Sequence, residues 1–365
     1  MLEELRKEID EVNLNILKYF EMRMKLVKDV AIYKEENDLP ITNISREKQV
    51  ISQMISSLEN KDIEEETVEL FKKIISLSKV YENRLMNKDR DKIAYQGVPG
   101  SYSYEAMTDF FGENSKAINV KTFEDVFEKI KNHEATYGIL PIENSSTGAI
   151  NEVYDLILKY NFFICNEMIL KIDSNLMCIE GGSLDKIEEV FSHEQGFSQS
   201  KVFLKGYPDW KLTNYFNTAL SAKYIKELND PTKAAIASKN AANIYGLKIL
   251  AENINFNPDN YTRFIVIKSK MKVNDDSDKI SIVLSLPHKS GSLHNILTYF
   301  SDYNLNMVKI ESRPDLVRPF EYMFYIDFEG NIKDDMVKKV LDDIRNNSTY
   351  FKILGNYKGA YKDAF

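Results

Sequence analysis

The chain has 365 residues, 43% of them apolar and 28% charged, with a net charge of -8 and a pI near 5.3. That length exceeds what one small core organises and points to two or three domains, while the acidic balance argues against a nucleic-acid partner. No apolar run approaches the ~20 residues that span a bilayer, and the start Met1-Leu2-Glu3-Glu4-Leu5-Arg6 lacks the layout of a secretory signal, so a cytoplasmic protein without a membrane partner is expected.

Cys165 and Cys178 are the only cysteines, and Cys165 lies in an apolar run, so buried thiols are expected rather than a disulfide. His133, His193, His288 and His294 show no ligand spacing with them, so no metal or other cofactor is implied.

No glycine precedes Gly97, and Pro40 is the only proline in that span, so the first ~90 residues should be helical. Leu2, Leu5, Ile9, Val12, Ile16 and Tyr19 recur at steps of three and four, the period of one long helix that continues past Val27 to Ala31. A break at Asn37 to Pro40 leads to a second helix from near Ser45. A third runs from about Glu64 to Leu85 with Val68, Phe71, Ile75 and Leu77 inward. A three-helix unit with one overlong helix cannot cover itself, so two copies are expected to interlock.

Arg23 and Lys34 are three helical turns apart and point the same way. Arg6 does not share that face, being rotated by roughly 100° and displaced by about 25 Å along the axis. To join the same pocket it would have to come from a partner's antiparallel helix. Arg46 and Glu47 open the second helix, and Ser78 and Glu82 share a face of the third. Any one of these alone reads as a solvated helix side chain.

Taken together, Leu5-Arg6-Lys7-Glu8-Ile9-Asp10, Arg23, Lys34 and Pro40-Ile41-Thr42-Asn43-Ile44-Ser45-Arg46-Glu47 resemble the all-helical chorismate mutase family. The resemblance implies an interlocked dimer with Arg6 crossing between protomers. It makes Arg6 and Arg23 holders of the chorismate carboxylates, Lys34 a donor to a carboxylate and the ether oxygen, and Glu47 a partner of the ring hydroxyl. Asn43, Arg46 and Ser78 complete the substrate-binding set. Asn43 stands where aspartate is common, and Glu82, beside the ether oxygen, where glutamine is common. Chorismate rearranges to prephenate within one molecule, so positioning and electrostatics are what a protein can supply.

The charge run Met86 to Lys92 reads as a linker. After it glycines appear and β-branched runs alternate with amphipathic helices, an α/β pattern. Tyr137 to Leu140 suits an interior strand, with Pro141 ending its ladder. Asn144, Ser145, Ser146 and Thr147 then fall between a strand end and the helix Asn151 to Tyr160, the place for a ligand crevice. Phe162 to Ile172 and Asn175 to Ile179 read as strands leading to a second lobe. The helix Gln199 to Lys205, the strand Trp210 to Phe216, the helix Ala219 to Leu228 and the strand Phe264 to Lys268 complete it, giving two α/β lobes with a cleft between.

Four polar clusters can face that cleft: Gly97-Val98-Pro99-Gly100-Ser101-Tyr102-Ser103, the Asn144 stretch, Ser192-His193-Glu194-Gln195-Gly196-Phe197-Ser198-Gln199, and Asn260-Tyr261-Thr262-Arg263-Phe264. In this order they resemble the prephenate dehydratase family, whose fold is two lobes like a periplasmic binding protein. The resemblance makes Thr262 the essential hydroxyl, with Asn144, Ser192, Gln195 and Gln199 as polar companions. Ser101 and Ser103 lie in an opening turn whose N-H groups suit a carboxylate. Prephenate loses water and carbon dioxide together, and aromatisation drives the step, so a donor for the leaving hydroxyl and anion-binding groups suffice.

Met271 to Lys279 reads as a second linker, and Ile280 to Leu354 as a βαββαβ, ferredoxin-like unit. Gly291-Ser292-Leu293 and Glu311-Ser312-Arg313-Pro314 resemble the regulatory ACT domain, where they frame a phenylalanine site at a dimer interface. The expected organisation is multidomain: an all-α mutase at 1–88, a two-lobed α/β dehydratase at 92–270 and an α+β ACT unit at 279–360. The function that follows is a bifunctional enzyme of phenylalanine synthesis, inhibited by L-phenylalanine and working as a homo-oligomer. Two alternatives stand beside it, a dehydratase whose helices only dimerise and a non-catalytic amino-acid sensor. The mutase residues speak against the first and Thr262 against the second.

Overall fold

The computed structural model describes residues 2–36, 44–86, 92–315, 318 and 320–360. The expected break at Asn37 to Pro40, the candidate Asn43 and the linker positions 87–91 lie outside them. The chain divides into two compact units, Met1–Asp91 and Lys92–Phe365.

The first unit holds α1 (Leu2–Glu36), α2 (Ile44–Ser56) and α3 (Glu64–Met86). Glu3 and Glu4 in the first turn of α1 and Lys34 in its last complement the helix dipole. The apolar stripe of α1 is present but uncovered: Leu5, Ile9, Val12, Ile16 and Tyr19 are each more than half exposed, and among the described side chains of this helix only Val27 and Ala31 are buried. Leu77, expected inward, is 42% exposed. Its neighbour Ser78 takes the buried position toward α1, and one residue along a helix turns a side chain by ~100°.

The second unit begins with β1 (Lys92–Gln96), α4 (Tyr102–Phe111), β2 (Lys116–Val120), α5 (Phe123–Lys131), β3 (Tyr137–Asn144), β4 (Gly148–Ala149), α6 (Asn151–Tyr160) and β5 (Phe163–Lys171). The chain then crosses to a second lobe of β6 (Asn175–Cys178), β7 (Glu189–Ser192), α7 (Glu194–Gln199), α8 (Lys201–Leu204), β8 (Lys211–Asn214), α9 (Thr218–Leu228), β9 (Lys233–Ala237), α10 (Lys239–Tyr245) and β10 (Lys248–Ala251). It returns as β11 (Tyr261–Lys268), which lies antiparallel between β3 and β5 in a sheet ordered β2-β1-β3-β11-β5. The second sheet is ordered β10-β6-β9-β7-β8. Strand β9, Lys-Ala-Ala-Ile-Ala, has the composition of a helix. Burial on both faces of the second sheet makes it a strand instead.

Pro141 does not end β3, as its missing donor had suggested. The strand runs on to Asn144, and the register with β11 shifts there, pairing Pro141 with Phe264 and Glu143 with Arg263. The extra residue, Ile142, is accommodated as a bulge.

The C-terminal segment forms β12 (Lys279–Ser285), α11 (Ser292–Asp302), β13 (Met307–Pro314), β14 (Tyr322–Glu329), α12 (Asp335–Asn346) and β15 (Tyr350–Tyr357), an antiparallel sheet ordered β13-β14-β12-β15. It shares a core with the first lobe: Val283, Met323, Tyr325, Leu354 and Tyr357 pack with Leu140, Ile142, Ile157, Ile164, Ile265 and Ile267. Met271 to Lys279 therefore joins two sheets of one core.

Candidate active sites

In the helical unit the structure brings together Arg23, Lys34, Ser78 and Glu82. Arg23 donates to the Ser78 hydroxyl, and Lys34 Nζ lies 2.7 Å from Glu82 Oε2. Ser78 and Glu82 are buried. Burial works against the charge of Arg23 and lowers its pKa, an effect that Glu82 partly opposes. A partly desolvated guanidinium and a half-buried ammonium in one cluster are suited to take up a carboxylate. Glu47 is tied to α3 through Lys79 at 2.8 Å, and Arg46 is exposed and donates to Gln49. Arg6 is exposed far along α1, so a single chain does not deliver it to the cluster.

In the second unit the lobes are joined by two crossings, 172–174 and 252–260. They pair through Ile172 N to Asn260 O at 2.8 Å and Ile254 N to Ser174 O at 2.8 Å. Asn144 and Thr262 end adjacent strands beside this hinge. The Asn144 amide donates to Thr262 Oγ1 at 2.9 Å, to Asn260 Oδ1 at 2.9 Å and to the Tyr261 carbonyl at 3.1 Å. Its own Oδ1 accepts from the N-H groups of Ser146 and Thr147. The side chain therefore fixes the loop after β3, and because Thr262 Oγ1 accepts from it, the threonine proton is available to a substrate.

In the same lobe, Ser101 caps α4 by accepting from Tyr104 N, and Ser103 is buried in the first turn of that helix. The same turn touches the second lobe, where Ser238 Oγ donates to the Gly100 carbonyl at 3.0 Å and Tyr245 to the Pro99 carbonyl at 2.7 Å. Gly100 sits at φ +86, and a Cβ there would meet the Ala241 backbone at 3.0 Å, so glycine permits this closure.

The third expected cluster is less unified. Ser192 is fully buried and donates to the Ile236 carbonyl at 3.1 Å, under Gly196, an arrangement that packs the second lobe. Gln195 is exposed, and Gln199 is half-buried with its carbonyl accepting from Phe256 N.

Four of the expected effector residues line two cavities, and Gly291, Glu311 and Ser312 lie beside them in sequence without lining either. Ser292 and Leu293, after Gly291 at φ +83, border one of about 380 Å³ with Phe320 and Tyr322. Arg313 and Pro314 border another of about 360 Å³ with Asp155, Tyr325 and Tyr350. Along β13, Glu311 and Arg313 face inward while Ser312 and Pro314 are exposed. Arg313 grips Asp155 of α6 at 2.6 and 3.1 Å, a partner that sequence spacing gave no means to find.

Comparison with known proteins assigns families to both units. A family model described as chorismate mutase type II matches residues 5–83, and one described as prephenate dehydratase matches 93–272. A bifunctional chorismate mutase/prephenate dehydratase of Aquifex aeolicus is 31% identical over 98% of both chains. The protein of that name from Buchnera aphidicola subsp. Acyrthosiphon pisum is 33% identical over 96% of this chain and 95% of its own.

The chain belongs to this bifunctional family. It is an enzyme with two activities, rearranging chorismate to prephenate and converting prephenate to phenylpyruvate. Among solved structures, the prephenate dehydratase of Arthrobacter aurescens in complex with L-Phe is 28% identical with a TM-score of 0.67, matching 73% of this chain and 89% of its own. That of Staphylococcus aureus is 26% identical with a TM-score of 0.66, matching 73% of this chain and 100% of its own.

Two residues that the sequence reading did not single out lie beside Asn144 and Thr262. Asn260, 1% exposed, accepts from Asn144 and keeps a buried amide nitrogen without a partner among the described residues. Arg263 is buried beneath Thr262. Both stand in the stretch that flagged Thr262, but alternation along a strand shows only that Arg263 points the other way. Among the described residues no helix is long and apolar enough to cross a membrane.

Proposed function

We propose that Arg23, Lys34, Ser78 and Glu82 form the mutase site together with Arg6 of a second copy, and that Thr262 and Asn144 carry the dehydration. The uncovered stripe of α1 supports an interlocked dimer, since a second antiparallel α1 covers Leu5, Ile9, Val12 and Ile16 and brings Arg6 toward Arg23. In the dehydratase, the 2.9 Å bond from Asn144 to Thr262 is the observation that carries the reading. It holds the hydroxyl as a donor to the leaving hydroxyl of prephenate. The carboxyl C–C bond breaks, its electrons enter the ring, and the C–O bond opposite breaks as the departing oxygen takes the Thr262 proton, which solvent restores, so that carbon dioxide and water are released. The N-H groups of the turn capped by Ser101 receive the side-chain carboxylate.

The C-terminal βαββαβ segment, with its antiparallel order, supports a ferredoxin-like ACT unit. L-phenylalanine bound to the Arthrobacter aurescens dehydratase supports it as the effector here. The turn at Gly291 and the strand end at Arg313 line separate cavities in one chain, which favours a site completed across a dimer. A cytoplasmic location agrees with the biosynthetic role. Incubating the purified chain with chorismate should give prephenate and then phenylpyruvate, the second step slowed by L-phenylalanine. Prephenate accumulation without phenylpyruvate would remove the dehydratase half of the reading.

A further inference from the structure

Thr262 and Arg263 are consecutive on β11 and face opposite sides of the sheet. The pairing repeats on β3, where Asn144 lies opposite Thr262 and Glu143 opposite Arg263. On one side stands the hydroxyl with its orienting amide. On the other, Arg263 spreads its guanidinium over three carboxylates from three strands: Glu143 of β3 at 3.0 Å, Glu167 of β5 at 3.1 Å and Asp327 of β14 at 2.9 Å. Lys279 of β12 reaches Glu167 at 2.9 Å, and Lys309 of β13 reaches Glu143 at 2.8 Å. Three cations thus face three anions, and Arg263, Glu167, Lys279 and Asp327 are each less than a tenth exposed. Burial alone would raise Asp327 and Glu143, but the cations around them outweigh it and hold both carboxyls below their usual range.

Such a cluster is a poor way to gain stability, because apolar side chains in the same space do as well without the desolvation cost. Its effect is geometric. The β3–β11 ladder is interrupted immediately beyond this pair, at the bulge by Pro141, while β11 stays in register with β5, so the side toward β3 and Asn144 is the one that backbone pairing leaves short. A planar fork that meets three strands at once fixes the strand end in the sheet plane, as a point charge cannot. Half of the cluster, Lys279, Lys309 and Asp327, comes from the C-terminal sheet.

We infer that Arg263 is a positioning residue for the dehydration, holding Thr262 in register with Asn144 through a charge cluster that the C-terminal sheet completes. The inference rests on the reading of Thr262 as the donor. A displacement near 1 Å at a reacting group costs about 10²-fold in rate. Arg263→Lys keeps the charge and loses the fork, and Asp327→Asn keeps the shape and loses one anion of the C-terminal sheet.

In the full-length protein with prephenate as substrate, Arg263→Lys should lower kcat on the order of 10²-fold and Asp327→Asn about tenfold, with KM within about threefold of wild type. Thr262→Ala is measured in parallel. If Thr262→Ala dehydrates prephenate normally, the reading of the site fails and the inference with it. If Thr262→Ala is inert while Arg263→Lys and Asp327→Asn keep wild-type kcat, the positioning role alone is overturned. A loss that tracks the folded fraction through thermal melting, or that falls equally on kcat and KM, assigns the cluster to stability and also overturns it.

Discussion

Replacing Gly355 tests how closely the C-terminal sheet is seated on the catalytic lobe. Gly355 lies in β15 opposite Ser281, and a Cβ built on it would stand 2.2 Å from the Ile164 carbonyl oxygen of β5 and 3.0 Å from its carbon. Ordinary contact needs about 3.2 Å or more, so Gly355→Ala must open this seam by about 1 Å. Overpacking of that kind costs about 1–3 kcal/mol. The charge-assisted bonds across the seam, Lys279 to Glu167 and Arg263 to Asp327, both at 2.9 Å, stretch with it, adding about 1.5 kcal/mol or more. The sum, about 2.5–4.5 kcal/mol, corresponds to a fall of roughly 5–18 °C in the melting of the second unit. Calorimetry of the full-length variant should show that transition lowered and the transition of the helical unit unmoved. A melting profile within about 1 °C of wild type would refute the close seating, and with it the shared core.

The mutase should respond to Glu82→Gln through substrate binding. The change turns the 2.7 Å ion pair with Lys34 into a neutral hydrogen bond and leaves the ammonium charge to a dicarboxylate, so KM for chorismate should fall about threefold. An unchanged KM would show that Lys34 is not shared between Glu82 and the substrate. In the dehydratase, burial, then Asp109 and Asp173, push the Glu105 carboxyl up to about 7. A folded-state value raised above the ordinary 4.5 means that the folded chain holds its proton longer, so stability falls as pH rises from there through about 7. Glu105→Gln should remove that fall from melting curves taken between pH 5 and 8, and an identical slope in the variant would contradict the assignment. A fragment ending at Lys88 should keep mutase activity and sediment as a dimer, whereas a folded but inert dimer would restore the reading of the helices as a dimerisation device.

The sequence by itself carried what depends on local period and on contiguous motifs. A glycine-free stretch with apolar steps of three and four can only be a long helix, so α1 and its exposed stripe were legible, as were the polar stretches that hold Asn144 and Thr262. Tertiary structure alone decided which distant groups meet. Pro141 looked like a strand end because its missing donor is a local fact, yet a bulge opposite Phe264 lets β3 continue to Asn144. Lys233 to Ala237 has helical composition and became a strand because burial in a sheet outweighs a propensity of tenths of a kcal/mol per residue. Arg263 shows the limit most clearly. Its partners Glu143, Glu167 and Asp327 lie 120, 96 and 64 residues away, and no spacing rule links them. A charge is admitted to a core only where the fold supplies its counter-charges, and that condition is set by the packing of two sheets.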